Sequence, residues 1–376
     1  MVRQSLLSLT DIAEIDYLGP EFCDHSLKKI VSMFYLLQYE PGYTGIVKTL
    51  FSGAVTGYHK SWLTMSAKIN WDDYDLVYLE YSRYGFIARL AKNKLKKLVI
   101  RVHNVEKDYY NRITGKRSLS NNLRLLIKRM LITRQESICL SSADSIICLT
   151  KADKKRLAEL YPTKLEQKEL AVIPVALEQP QPLKVSQPLL IDGEEDNPYL
   201  LITGSLWFGP NAAGAAWFIK NVWQRLLAEN HWISIKYKLV IAGSRPGKGI
   251  QVLSSCHNNI ELIDSPLDMK PYFEKASIYL APIFSGAGMK VKVAEALSYG
   301  LPVIGTNHAL TGYRIIDRKN GYRADNADGF IDSLEYYMGL STEAKNLIRI
   351  KAYQLFQDDH SIEVSKKLFQ QIIDNT

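Results

Sequence analysis

"FSGAGMKVKVAEALSYGLPVIGTN", Phe284 to Asn307, decides how this chain is read. It follows the strand-like "ASIYLAPI" (276–283) and sets Gly286, Gly288, Lys290 and Lys292 at the front of an amphipathic helical pattern. A dinucleotide fingerprint needs a third glycine where Val291 stands, and an acid after the next strand where Thr306-Asn307 stand. A Walker loop needs G-K-[ST], which neither this stretch nor "GSRPGKG" (243–249) contains. A phosphate grip of another kind remains. Glycines let the backbone approach a ligand, and the first amides of a helix starting near Met289 lack intrahelical acceptors. A diphosphate takes such N–H groups as partners, and the helix dipole adds about 0.3–2 kcal/mol. Lys290 and Lys292 supply countercharge, and Glu295 sits one turn further in, within reach of two ribose hydroxyls. The competing reading is structural: Lys292 and Glu295 pair at i, i+3, Gly300 caps the helix and Pro302 stops it.

Outward from this stretch, short apolar runs alternate with helical ones. "IAEIDYLG", "DLVYLEYS", "KLVIRVHN" and "ADSIICLT" are the strand candidates of the first half. "YLLITGS", "YKLVIAGS", "NIELIDSP", "ASIYLAPI" and "LPVIGTN" are those of the second. Helical stretches, notably 121–140 and 211–230, separate most of them, which predicts parallel sheets covered on both faces. Residues 174–198 hold five of the 14 prolines and end in an acidic run, the composition of an exposed linker. The expected fold is α/β, two doubly wound Rossmann-like domains facing a cleft: 1–180, a linker 181–198, 199–355, and a C-terminal helix 356–376 packing back on the first domain. Arg3 to Leu9 reads as helix and the first strand falls at Ile12–Leu18, so the opening strand of the first domain is missing. Either the start codon lies inside a longer frame or the domain is built without it.

Hydrophobic residues make up 47% and charged residues 23% of 376, an ordinary globular balance with no apolar run long enough for a membrane span. Acids enter the N-terminus too early for a signal peptide. Cys23, Cys139, Cys148 and Cys256 lie far apart, as reduced cytoplasmic thiols do. The net charge of +8 is uneven: residues 83–134 carry fifteen Lys or Arg against Glu106 and Asp108, a local +13. Lipid headgroups or nucleic acid would complement such a patch. No aromatic-interleaved nucleic-acid module accompanies it, so nucleic acid is not expected, and an anionic membrane surface and a merely solvated face both stay open.

"GAGMKVKVAEALSYGLPVIGT" (286–306) resembles the donor-site signature of retaining GT-B glycosyltransferases of family 4, in a surface-polysaccharide subgroup. "GSLWFGPNAAGAAWF" (204–218) resembles that family's first Gly loop running through Pro-Asn into a helix, and "RVHNVEKDYY" (101–110) its acceptor-domain histidine loop. The resemblance spans about 100–330. It implies a nucleotide-sugar donor held by Gly204, Ser205, Asn211 (as helix cap), Arg245, Gly286, Ala287, Gly288, Met289, Lys290, Lys292 and Glu295. It implies His103, Lys292 and Glu295 as the catalytic set. Glu80 and Arg83, ending another strand of the first half, and Asn104, beside His103, are the candidate contacts to a saccharide or lipid-linked acceptor. Ala287 replaces the family's frequent second glutamate, and the usual Arg and Lys after the first donor-domain strand are absent from "GSLWFGPN". No cofactor or metal is implied, and Asp73-Tyr-Asp75 is assigned no metal role. The implied location is the cytoplasmic face of the plasma membrane. A non-catalytic subunit of this fold and a sugar-nucleotide epimerase stay open as alternatives.

Overall fold

Buried parallel strands organise both halves of the chain. The computed structural model describes residues 2–20, 25–39, 59–92, 97–112, 119–180 and 198–375. They divide into a first unit, Met1–Pro174 with Ser365–Thr376, and a second, Val175–Val364.

In the first unit, β1 (Asp16–Gly19) pairs in parallel with β2 (Met33–Leu36). A separate parallel sheet runs in sequential order through β3 (Val77–Glu80), β4 (Leu98–Val102), β5 (Ser145–Cys148) and β6 (Glu169–Val172). Every residue of β4 and β5 is buried, as apolar runs covered on both faces demand. One face packs Leu98, Ile100, Ile146 and Cys148 against Cys139 and Leu140 of helix Leu119–Ser142. The other packs Val99 and Ile147 against Leu9 of helix Val2–Leu9 and against Phe369 and Ile372 of helix Ile362–Asn375. Arg101, counted above in the basic patch, is interior. Its guanidinium donates to Ser5 Oγ at 2.7 Å and to the carbonyls of Pro174 (3.0 Å) and Ile173 (3.3 Å), over the Phe369 ring. Lys94, Lys96, Lys116 and Arg117 of that patch lie outside the described residues.

Among the described residues the second unit holds six parallel strands, β7 (Tyr199–Thr203), β8 (Lys238–Gly243), β9 (Ile260–Asp264), β10 (Ala276–Ala281), β11 (Val303–Gly305) and β12 (Tyr322–Arg323). Their order is β12-β11-β10-β7-β8-β9, a doubly wound sheet whose direction of winding reverses between β7 and β10. Loops leaving the carboxyl ends of two such central strands diverge and open a crevice, where sheets of this kind bind ligands. The helix expected over 211–230 runs from Gly209 to Ala228 with a π-turn at Ile219–Trp223 in its middle. It buries Phe218, Val222, Trp223 and Leu226 in the unit's core.

Candidate donor and acceptor sites

In the second unit, the expected donor residues sit at the carboxyl ends of the central strands. Gly204 and Ser205 leave β7, and Gly286 to Met289 lie between β10 and helix Val291–Ser298. Gly214 brings the two loops together. It lies in helix Gly209–Phe218, and a Cβ there would stand 2.1 Å from the Pro282 carbonyl oxygen, so only glycine lets the helix reach the end of β10. Thr203, Asn211, Gly214, Tyr279, Pro282 and Ile283 line a narrow pocket at this switch point.

Asn211 does not cap its helix. Phe208 holds the N-cap position, and Asn211, already in the first turn, sends its Nδ2 back to donate to the Ser205 carbonyl at 3.2 Å. Asn211 therefore fixes the Gly204–Ser205 loop.

The opening quoted stretch folds as a loop followed by a helix. Gly286 (φ +106°) and Gly288 (φ +69°) adopt backbone conformations that side chains resist. The helix begins at Val291, with Lys290 as its N-cap residue and no side-chain cap. Of its leading amides, Val293 donates to the Lys290 carbonyl at 2.9 Å and Ala294 to the Tyr313 hydroxyl at 3.2 Å. Among the described residues, the Val291 and Lys292 amides have no acceptor. Lys290 turns its ammonium onto the loop, donating to the carbonyls of Gly288 (2.8 Å) and Ala287 (3.3 Å). Lys292 pairs with Glu295 at 2.9 Å, the i, i+3 contact that the structural reading required. The helix closes at Gly300, whose N–H meets the Leu297 carbonyl (2.9 Å) while Leu301 N–H reaches back to Ala296 (3.0 Å), a Schellman motif.

Arg245, past β8, takes a left-handed conformation (φ +52°) with its amide on Asp264 Oδ1 at 3.1 Å. Its guanidinium lies 4.9 Å over the ring of Trp207, which is 58% exposed. A cation and an indole thus form one shelf beside the Gly204 loop.

In the first unit, two expected residues from different strands meet. Glu80 ends β3, His103 follows β4, and Glu80 Oε2 is hydrogen-bonded to His103 Nε2. Burial drives His103 below the ordinary imidazole range, against the pull of Glu80. Burial alone would raise Glu80, but the bond and charge of His103, with Arg101, hold it below the usual carboxylate range. Carboxylate and imidazole thus form one coupled buried pair, in which Glu80 holds the ring of His103 through Nε2. The His103 ring stacks on Tyr81 at 4.0 Å, and the Arg83 guanidinium covers that same ring at 4.5 Å. Tyr81 is left-handed at φ +74°, a strained turn typical of functional loops. Arg83 and Glu80 thus belong to one stacked cluster with His103; Asn104 follows in the same loop.

Beyond that cluster lies an acidic pair no motif predicted. The Glu136 carboxylate, fully buried, accepts from the amides of Glu106 (2.7 Å) and Lys107 (3.1 Å), from Tyr161 Oη (2.8 Å) and from Ser82 Oγ (3.2 Å). Glu106, 2% exposed, is pushed up to about 7 by burial, with Arg83 opposing and Glu136 reinforcing. Among the described residues, no group of His, Cys, Asp or Glu is gathered as a metal centre. No described helix is long and apolar enough to cross a membrane.

Residues 197–338 match the family described as glycosyl transferases group 1. An uncharacterised 44.6 kDa protein in the cps region of Klebsiella pneumoniae is 26% identical over 238 residues, 58% of this chain and 55% of that protein. The chain thus matches about half the length of this curated relative. A glycosyltransferase from Rickettsia africae superposes with a TM-score of 0.67 at 13% identity, covering 99% of this chain and 94% of that one. Sucrose-phosphate synthase from Thermosynechococcus elongatus gives 0.67 at 15% identity, over 100% and 93% of the two chains. Anabaena HepE, solved with UDP and glucose, gives 0.63 at 12%, over 100% and 95%. The fold is that of GT-B glycosyltransferases, and the second unit carries a glycosyl transferases group 1 domain.

Proposed function

We propose that the protein is a glycosyltransferase that moves a sugar from a nucleotide-sugar donor to a saccharide acceptor, lipid-linked, in cell-surface polysaccharide synthesis. The observation that carries this reading is the turn at Val291: two amides without acceptors, behind a glycine loop, with Lys292 and Glu295 on the same helix. As the glycosidic bond breaks, the diphosphate leaving group gains negative charge. Val291 N–H, Lys292 N–H and the Lys292 ammonium meet that charge, and fixed donors aimed at developing charge lower the barrier. Every 1.36 kcal/mol gained there is about tenfold in rate. Glu295, released from Lys292, accepts from the ribose hydroxyls. Gly204, Ser205, Gly286, Ala287, Gly288 and Met289 supply backbone to the donor, and Arg245 with Trp207 borders it. The HepE structure with UDP and glucose supports a uridine diphosphate sugar as the first donor to test.

Acceptor recognition falls to the first unit, through His103, Glu80, Arg83 and Asn104. His103 presents Nδ1 to a sugar hydroxyl, with Glu80 holding the ring through Nε2. Retention of configuration and independence from metal are part of the same proposal, by family resemblance. The relative in a cps region supports a polysaccharide product. Helix Leu119–Ser142 exposes Leu126 (52%) and Met130 (66%), with Arg134 a further four residues on and Lys128 between them. Apolar and cationic side chains along one helix suit an anionic membrane surface at the cytoplasmic face.

Calorimetric titration with UDP, GDP and ADP, followed by turnover of the corresponding sugar nucleotides, tests the reading. Glu295→Ala should abolish turnover and weaken diphosphate binding while the protein still melts normally. Leu297→Ala, fully buried, should lower stability first. Binding of none of the three nucleotides by the wild type, or full turnover by Glu295→Ala, would overturn the proposal.

A further inference from the structure

Helix Val291–Ser298 starts with an interruption. In a regular first turn the Ala294 N–H donates to the Lys290 carbonyl, four residues back. Here the Tyr313 hydroxyl stands between them: it accepts from Ala294 N–H at 3.2 Å and donates to Lys290 C=O at 2.8 Å. The Lys290 carbonyl also accepts from Val293 N–H, three residues on, at 2.9 Å. A side chain inserted into the i→i−4 ladder holds the turn open at that point. Tyr313 itself has little freedom. It is 4% exposed, and its ring lies 4.8 Å from that of His360, which is fully buried and bonded through Nδ1 to the Val175 carbonyl at 2.9 Å. Burial raises the phenol's pKa, so the hydroxyl keeps its proton and remains a donor.

We propose that Tyr313 is a positioning residue: its hydroxyl wedges the first turn of helix Val291–Ser298 open and so sets the Val291 and Lys292 amides for a nucleoside diphosphate. The inference rests on the donor-site reading above and adds a residue that touches no substrate. Its consequence differs from that of an ordinary buried hydrogen bond. Without the hydroxyl, Ala294 N–H can close directly on Lys290 C=O, so both groups stay satisfied and the fold loses little. The turn tightens, however, and the two free amides move.

Tyr313→Phe keeps the ring and removes the wedge. Calorimetric titration of the full chain with UDP, GDP and ADP should show about tenfold weaker binding (1.4 kcal/mol) of whichever nucleotide the wild type binds. The melting temperature should stay within about 2 °C. Tyr322→Phe, which removes a buried hydroxyl without a hydrogen-bond partner, should leave affinity unchanged. Equal affinity in Tyr313→Phe and wild type would overturn the inference while leaving the donor site standing. Absence of nucleotide binding by the wild type would overturn both. If the variant melts early, amide exchange on the wild type decides. Ala294 should be protected with and without nucleotide, and Val291 and Lys292 only with it. Exchange at Val291 and Lys292 that ignores nucleotide would sink the proposal.

Discussion

Replacing Gly214 by alanine tests how the two glycine loops of the second unit are brought together. Ordinarily alanine stabilises a helix interior by about 1 kcal/mol relative to glycine. At 214 the new methyl group would lie 2.1 Å from the Pro282 carbonyl oxygen, against a carbon contact distance of about 3.5 Å. The obstacle is backbone at the end of a buried strand, so it cannot swing aside as a side chain would. Overpacking of this kind costs about 1–3 kcal/mol, and a rigid partner places it near the top of the range. Net destabilisation of about 2 kcal/mol follows, a drop of roughly 4–8 °C in the melting of a unit this size. Gly209→Ala is the control. It stands at the start of the same helix with nothing within 4 Å of its would-be Cβ, and should be neutral or slightly stabilising. Urea titration and calorimetry of both variants give the sign directly. If Gly214→Ala melts at or above the wild type, the close approach of this helix to β10 is wrong, and the pocket between the loops with it.

The buried carboxyl of Glu106 makes a pH-dependent prediction. Its folded pKa, about 7, lies above the unfolded value, so the folded state binds the extra proton and its contribution is full below about 4.5. That contribution is lost as pH rises towards 7. Glu106→Gln should thus gain stability over the wild type at pH 8, with the gap closing by pH 5; a constant gap in paired denaturation curves would show the carboxyl to be ionised in the fold. Glu80→Leu should destabilise the first unit by about 1–3 kcal/mol by stranding the buried His103 donor. It should reduce transfer while leaving nucleotide affinity intact, and loss of nucleotide affinity in titration would contradict the division of roles between the units. Leu126→Asp with Met130→Asp should weaken sedimentation with anionic vesicles, and raised salt should do so further. Equal pelleting by wild type and variant would remove the membrane role.

Most of the sheet in the second unit was legible because strands buried on both faces leave continuous apolar runs. "LLIT", "LVIAG" and "SIYLA" are such runs, and their shortness and flanking glycines and prolines favour strands. The strands that escaped are short or half-exposed: β2 with Met33 and Leu36 at the surface, β6 with Glu169 exposed, and β12 of two residues. Local pairing was legible too, since Lys292 and Glu295 are separated by one helical turn. Long-range pairing was not. Nothing in either segment announces that Glu80 meets His103, 23 residues on, or that Tyr313 enters a turn 19 residues before it. Arg101 shows the same limit in the other direction. A charge run looks solvated until the fold supplies Ser5, Ile173 and Pro174 as acceptors.

The Lys292–Glu295 pair first reads as evidence against a phosphate site, because each group already has a partner. Its magnitude reverses the inference. With Lys292 38% and Glu295 27% exposed, a same-helix i, i+3 pair contributes only about 0.2–0.5 kcal/mol. Charge-assisted hydrogen bonds from a diphosphate to Lys292, and from ribose hydroxyls to Glu295, are each worth about 1.5–3 kcal/mol. Exchange therefore favours the ligand by several-fold more than the pair it breaks. A purely structural pair gains nothing from two adjacent amides left without acceptors at Val291 and Lys292, nor from a glycine loop in left-handed conformations before them. Together these features make a turn that is held in shape yet unsatisfied. Lys292→Met separates the two accounts: a structural pair predicts a loss of at most about 0.5 kcal/mol in stability and unchanged nucleotide affinity. A phosphate grip predicts the same small stability change with affinity down by about tenfold or more, and a titration that finds affinity intact ends the case for the site.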